Sequence, residues 1–206
     1  MNYVLHIDTS GDVCYTAIAK DGKLLARIQH ATSREHASTL NLQIESVLSE
    51  ASIKASDLSA IAIIAGPGSY TGLRIGMATA KGLCYGLNIP LMAYNKLDLL
   101  VLHEAQNKKF ASYAALLPAR SGEYFATVYD ASLEYIIPPK HILASEWEEM
   151  INDIYYIIGD GKSNLEINEE HWLFLSNYDF DNQKFASLSF IEPFYLKDVF
   201  LTSKKG

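Results

Sequence analysis

Two short segments carry residue types that could handle a phosphate: Asp8-Thr9-Ser10-Gly11 and Gly66-Pro67-Gly68-Ser69-Tyr70-Thr71-Gly72. A glycine-rich turn ahead of a helix can hold an anion through free backbone amides. A self-sufficient P-loop would add a lysine directly after its second glycine. No lysine stands there, and Arg74 falls inside the helix. Gly161-Lys162-Ser163 imitates the end of such a loop, but the place of its first glycine is taken by Tyr156. What survives is half a nucleotide site, with Asp8, Thr9, Ser10, Gly66 and Gly68 as a candidate nucleotide edge. Its counterpart in the second half, Pro118-Ala119-Arg120-Ser121-Gly122, has no acidic residue before Glu123.

Other chemistries fail on spacing. Zinc ligands on one helix need i and i+4 positions so that two imidazoles share a face. His103 has Asn107 at that position and His36 has Leu40. His6, His30, His141 and His171 also read as structural or surface residues, so neither a metal nor any other cofactor is expected. A two-metal nuclease needs carboxylates converging from neighbouring strands. Asp8 ends the first strand, yet the fourth ends in Ile64-Ala65. The Gly-x-Ser-x-Gly elbow of an acyl-transfer serine is absent as well.

The elements that would position these residues are legible in the hydrophobic pattern. Residues 2–8, 13–18 and 24–29 read as an antiparallel meander, with Asp21-Gly22 as its hairpin turn. Thr32-Ser33-Arg34-Glu35 fits a capping box, and Ala37, Leu40, Ile44, Val47, Leu48 and Ala51 follow at helical spacing. Ala60-Ile61-Ala62-Ile63-Ile64-Ala65 lacks alternation, as expected of a parallel strand covered on both faces. A helix to about Leu87, a short strand at 90–93 and a helix at 96–106 follow. Strands at 113–117, 124–129 and 134–137, a helix at 145–151 and a strand at 155–158 loosely repeat the series. This order predicts an α/β, duplicated ribonuclease-H-like (actin-like) fold in two lobes, 1–94 and 95–206, the second copy degraded. No Gly/Ser/Pro linker divides them, so direct packing is expected. Residues 166–206 give mixed signals.

Composition narrows the function classes. Of 206 residues, 49% are apolar and 20% charged, which is globular, and the net charge of −7 argues against an unaided grip on nucleic acid. Cys14 and Cys84 form no disulfide framework. The sequence has no apolar run of the ~20 residues that a membrane span requires. The start reads as a strand, not a signal peptide, so a cytoplasmic protein is expected.

One helix stands out. Gly72, Gly76 and Ala80 recur every four residues, and Gly82 and Gly86 add small positions. Each interior glycine costs roughly 1 kcal/mol against alanine, so close approach of another backbone must compensate. Packing within the chain is one source of that gain. The other is an intermolecular helix contact, with His36, Leu40, Ile44, Gly72, Ile75, Gly76, Thr79 and Ala80 as its expected surface. On that reading Gly76→Leu should break the contact and leave the monomer folded.

The segment Gly66 to Gly76, with Ile7-Asp8-Thr9-Ser10, His36, Ala80-Lys81-Gly82-Leu83 and Pro193-Phe194-Tyr195-Leu196-Lys197, resembles the bacterial TsaB (YeaZ) family. The likeness spans most of residues 1–130 and thins beyond them. It implies a part in making threonylcarbamoyladenosine in tRNA as a non-catalytic scaffold. The family's partners are the catalytic paralogue TsaD, in a heterodimer, and the ATPase TsaE. A homodimer is implied when the chain is alone, and tRNA is met only through the complex. In the paralogue a His-x-Glu-Gly-His type motif follows the fifth strand, where this chain has Lys96 and Leu100 in place of the two histidines. The competing expectation is a divergent ATPase or acyltransferase of the same fold acting on its own.

Overall fold

The computed structural model describes residues 1–31, 36–150, 156–159 and 165–197, the side chains of 36–38 aside. Five strands form the first sheet in the order β3-β2-β1-β4-β5. β1 (Tyr3–Asp8), β2 (Val13–Lys20) and β3 (Lys23–Ala31) make the antiparallel meander, and β4 (Ala60–Gly66) and β5 (Leu91–Asn95) add in parallel. Asp21 and Gly22 both take positive φ, 49° and 76°, which matches the twist of the strands they join. The expected capping box at 32–35 lies outside the described residues.

β4 is buried at every position, and alternate side chains enter different cores. Ile61, Ile63 and Ala65 face α1 (His36–Glu50) and α2 (Tyr70–Leu87), where Leu40, Ile44, Val47, Met77 and Cys84 complete a layer. Ala60, Ala62 and Ile64 face Trp172 of α5 (Glu169–Asp181) and Leu99 of α3 (Lys96–Asn107). Each fully buried isoleucine contributes about 1.5–3 kcal/mol, so the central strand anchors both layers. Cys14 and Cys84 are buried free thiols; burial pushes them up to about 11 and about 12, with Asp8 adding to the rise at Cys14.

The second sheet has the order β8-β7-β6-β9. β6 (Ser112–Pro118), β7 (Glu123–Asp130) and β8 (Tyr135–Leu143) are antiparallel, and β9 (Tyr156–Ile158) pairs with β6 in parallel. It repeats the first sheet without a described fifth strand, so the fold is a duplicated ribonuclease-H-like architecture with a reduced second copy. Leu97, Leu100 and Val101 of α3 cover one face. Trp147 of α4 (Ala144–Met150) covers the other. α3 therefore belongs to both sheets. β8 runs beyond the expected 134–137 because Pro138 and Pro139 sit on an edge strand, where a missing N–H removes no bond to a further neighbour. No helix among the described residues is long and apolar enough to cross a membrane.

Candidate functional site

The two segments first singled out lie against each other. Ser69 donates its backbone N–H to the Ser10 carbonyl at 2.7 Å, and Ser10 donates its own to Asp8 Oδ1 at 2.8 Å. Gly68 must be glycine for this approach, since a Cβ there would stand 2.2 Å from the Ser10 carbonyl oxygen. Ser69 caps α2 by accepting from the Gly72 amide at 3.2 Å. Gly66 takes φ +141° and leaves room for the Phe194 carbonyl, which a Cβ would meet at 2.7 Å. All five residues of the candidate nucleotide edge are therefore brought together, but Thr9 points away from the opening. It is fully buried and donates its hydroxyl to the Gly72 carbonyl at 2.8 Å.

Lys96 sets a buried cation beside Asp8 and Ser10. Its side chain is 8% exposed and its ammonium lies 3.7 Å from Asp8 Oδ2 and 3.4 Å from the Ser10 hydroxyl. Leu100 points into the second sheet's core. Among the described residues, no three His, Cys, Asp or Glu side chains gather as a metal site would require.

Beside Ser10 a cleft of about 410 Å³ opens between the two sheets' loops. Ser10, Gly68 and Ser69 line one wall, Pro118 and Arg120 the other, and Phe194 to Lys197 run between them. A smaller cavity of about 250 Å³ extends from Asp8 and Lys96 to Tyr15, Glu169 and Trp172. Residues 193–197 were noted in the sequence only as part of a resemblance, and the structure gives them work. Phe194 donates its amide to the Ala65 carbonyl at 2.7 Å, and Tyr195 packs on Tyr70 with ring centroids 5.0 Å apart. Lys197 bonds to Glu123, which also receives His141 Nε2 at 3.1 Å. Lys197, then His141, hold the Glu123 carboxyl below the usual carboxylate range. This segment thus fastens the start of α2 to the start of β7.

The interface residues divide in two. Gly72, Gly76 and Ala80 face inward: a Cβ on Gly72 would be 2.1 Å from the Thr9 carbonyl, one on Gly76 2.3 Å from Thr9 Oγ1, and Ala80 is fully buried. At Gly72 and Gly76 the partner is the chain's own Thr9, the residue directly after β1. The expected Gly76→Leu outcome is corrected accordingly, since the added bulk enters that internal joint. Leu40 and Ile44 are core residues at 1% and 5% exposure. Ile75 and Thr79 are half-buried, and the exposed positions of α2 are Tyr70, Thr71, Arg74, Ala78, Gly82, Tyr85 and Gly86. Tyr85 is 87% exposed, and Leu42 on the neighbouring α1 is 63% exposed. His36 begins α1, and its side chain lies outside the described set.

Comparison with known proteins follows the same lines. A family model described as TsaD, tRNA N6-adenosine threonylcarbamoyltransferase, matches residues 28–168. The tRNA threonylcarbamoyladenosine biosynthesis protein TsaB of Bacillus subtilis is 29% identical over 154 residues, 73% of this chain and 66% of that protein. The Escherichia coli protein of the same name is 29% identical over 126 residues, 61% of this chain and 54% of that protein. The chain thus spans between half and two thirds of the length of these two relatives. A Pseudomonas aeruginosa crystal structure, of an uncharacterized protein with similarity to peptidase YEAZ, superposes with a TM-score of 0.76 at 22% identity. That match covers 96% of this chain and 100% of the other, a likeness of fold. With more than half its length inside the family model and its curated relatives named TsaB, the chain belongs to the TsaD family and, within it, to the TsaB (YeaZ) group.

Proposed function

We propose that the chain is a non-catalytic subunit of the machinery that makes threonylcarbamoyladenosine in tRNA. It docks on the catalytic paralogue TsaD through the outward faces of α1 and α2 and, with TsaD, engages TsaE. The reading rests chiefly on the Lys96–Asp8 ion pair. It sets a buried ammonium where the resemblance gives the catalytic paralogue its first metal-binding histidine. A cation there repels a divalent ion and neutralises the aspartate that would order one. The acidic balance fits a subunit that meets tRNA through the complex. The first lobe, residues 1–94, carries the docking helices; unpartnered, the same face pairs with a second copy. The work is cytoplasmic.

Exposed Ala78, Tyr85 and Leu42 flank half-buried Ile75 and Thr79 and supply an apolar patch for helix packing. Ala78→Arg and Tyr85→Glu change outward positions only. Both should abolish co-purification with the paralogue while circular dichroism and thermal midpoint stay unchanged. Undiminished binding by both variants would remove this face as the interface.

The cleft of about 410 Å³, walled on one side by the start of α2, favours a second reading: a nucleotide-using enzyme of the same fold. Calorimetry of the isolated chain with ATP and magnesium separates the two. Saturable binding with turnover supports the enzyme, and heat-silent titration supports the scaffold.

A further inference from the structure

The smaller cavity, of about 250 Å³, lies between the first sheet and the start of α5. Two of the donors that border it are poorly served. The Lys96 side chain is withdrawn from water, yet its ammonium meets Ser10 Oγ only at 3.4 Å and Asp8 Oδ2 at 3.7 Å. Charge-assisted contacts ordinarily close to about 2.7–2.9 Å. Trp172 is 1% exposed, and its indole Nε1 has no hydrogen-bond partner among the described residues. A buried tryptophan N–H usually finds one. Two underserved donors beside one cavity call for an acceptor that enters it.

The other side of the cavity is built to accept. Glu169 takes the Tyr15 hydroxyl at 2.7 Å and Arg27 at 3.2 Å, and a carboxylate keeps room for a further donor. Asp12 and Glu166, both exposed, add charge of the same sign. With Asp8, the wall carries four carboxylates against two cations, Lys96 and Arg27, so it repels a plain anion. A plain cation meets the buried ammonium. A zwitterion satisfies both sides.

Strand spacing sets its length. Asp8 of β1 pairs with Tyr15 of β2, and Tyr15 with Gln29 of β3. The two sides therefore stand two strand spacings apart, roughly 10 Å. A contact of about 2.8 Å at each end leaves roughly 4 Å between the ligand's charges, the separation in a short amino acid. Val13, Ile167 and the rings of Tyr15 and Trp172 offer its side chain apolar walls. The volume also falls below the roughly 300–1,000 Å³ of sites for larger ligands.

We infer that this cavity binds a small zwitterion of the amino-acid class, its carboxylate on Lys96 and the Trp172 indole, its ammonium on Glu169. None of the wall residues lies on α1 or α2, so the docking face can fail its own test without touching this site.

The test is calorimetry of the full chain with L-leucine, then with 4-methylpentanoate and isopentylamine, which lack its ammonium and its carboxylate. Leucine should bind at one equivalent and raise the thermal midpoint, with each analogue at least tenfold weaker. Trp172→Phe keeps a ring in the core without the N–H and should weaken leucine severalfold. Glu169→Gln keeps an acceptor for Tyr15 and should weaken it at least tenfold. Lys96→Met combined with Asp8→Asn should abolish binding while circular dichroism stays native. Arg120→Ala, in the wall of the larger cleft, should leave affinity within twofold. No saturable binding at millimolar leucine overturns the assignment, as does equal affinity for either analogue. Binding lost in Arg120→Ala but kept in Glu169→Gln overturns it too.

Discussion

Gly76 faces Thr9 so closely that a Cβ built on the glycine would stand 2.3 Å from the threonine Oγ1. Helix α2 meets the end of β1 there with only the Thr9 side chain between the two backbones, and the contact sets how deeply the helix sits on the sheet. Gly76→Ala gains roughly 1 kcal/mol of helix propensity and overpacks a buried joint at about 1–3 kcal/mol. A net loss of up to about 2 kcal/mol is expected on these figures, read as a lower urea midpoint. Adding Thr9→Ala removes the obstructing oxygen and should recover part of that loss. Gly72→Ala should not recover in the same way, because its obstacle is the Thr9 carbonyl, at 2.1 Å.

The ion pair of Lys96 with Asp8 is the next subject for substitution. Both side chains are mostly withdrawn from water, at 8% and 13% exposure. Lys96→Met leaves the carboxylate buried with only the Ser10 amide to serve it, and losing one partner of a buried pair costs about 3–5 kcal/mol. Lys96→Met combined with Asp8→Asn should cost clearly less than Lys96→Met alone. A double-mutant cycle would measure the coupling, expected at about 1–3 kcal/mol. A coupling near zero would mean that the two groups do not stabilise each other.

His6 supplies a pH dependence. Its ring is fully buried, and burial lowers its pKa to about 3, with the backbone at Val4 and Ala17 opposing the fall. Ser176 Oγ donates to the Leu173 carbonyl, so the contact of 2.7 Å to His6 Nε2 has the histidine as donor, leaving Nδ1 bare. A depressed folded pKa means stability that is complete above the unfolded value of 6.5 and lost as pH falls from there to about 3. The amount is on the order of 5 kcal/mol at about 1.36 kcal/mol per unit. Between pH 6 and 4 the native chain should lose about 1.4 kcal/mol per pH unit through this group. His6→Gln, whose amide can still donate to Ser176, should lack that component when urea unfolding is repeated across the range. Equal slopes for the two proteins would refute the assignment.

The first lobe was legible in the sequence because each of its elements has one clean signal. The unbroken apolar run of β4 announced burial on both faces, and Asp21-Gly22 announced the hairpin. Helix α5 was not legible for a physical reason. Its inner face mixes Trp172 and Leu173 with His171, Ser176 and Asp179, while Phe174 and Tyr178 point to solvent at 63% and 50% exposure. The apolar stripe is too interrupted to be read. The spacing of Gly72, Gly76 and Ala80 announced a close contact but could not say with what. The answer lay in Thr9, the residue directly after β1. The fastening by residues 193–197 also escaped, since a contact from Phe194 to Gly66 or from Lys197 to Glu123 leaves no local pattern.

The packing of Trp172 from α5 against Val4, Ala60, Ala62 and Ile64 has a consequence for synthesis on the ribosome. The chain emerges from its N-terminus, so β1, β4 and β5 are out of the exit tunnel long before α5 is made. Until then one face of the first sheet has lost its tryptophan cover, and Met92 stands uncapped at its edge. Such a surface is prone to association in a nascent chain. The interval between β5 and α5 is therefore when a chaperone would have most to hold, and translation through the second lobe sets its length.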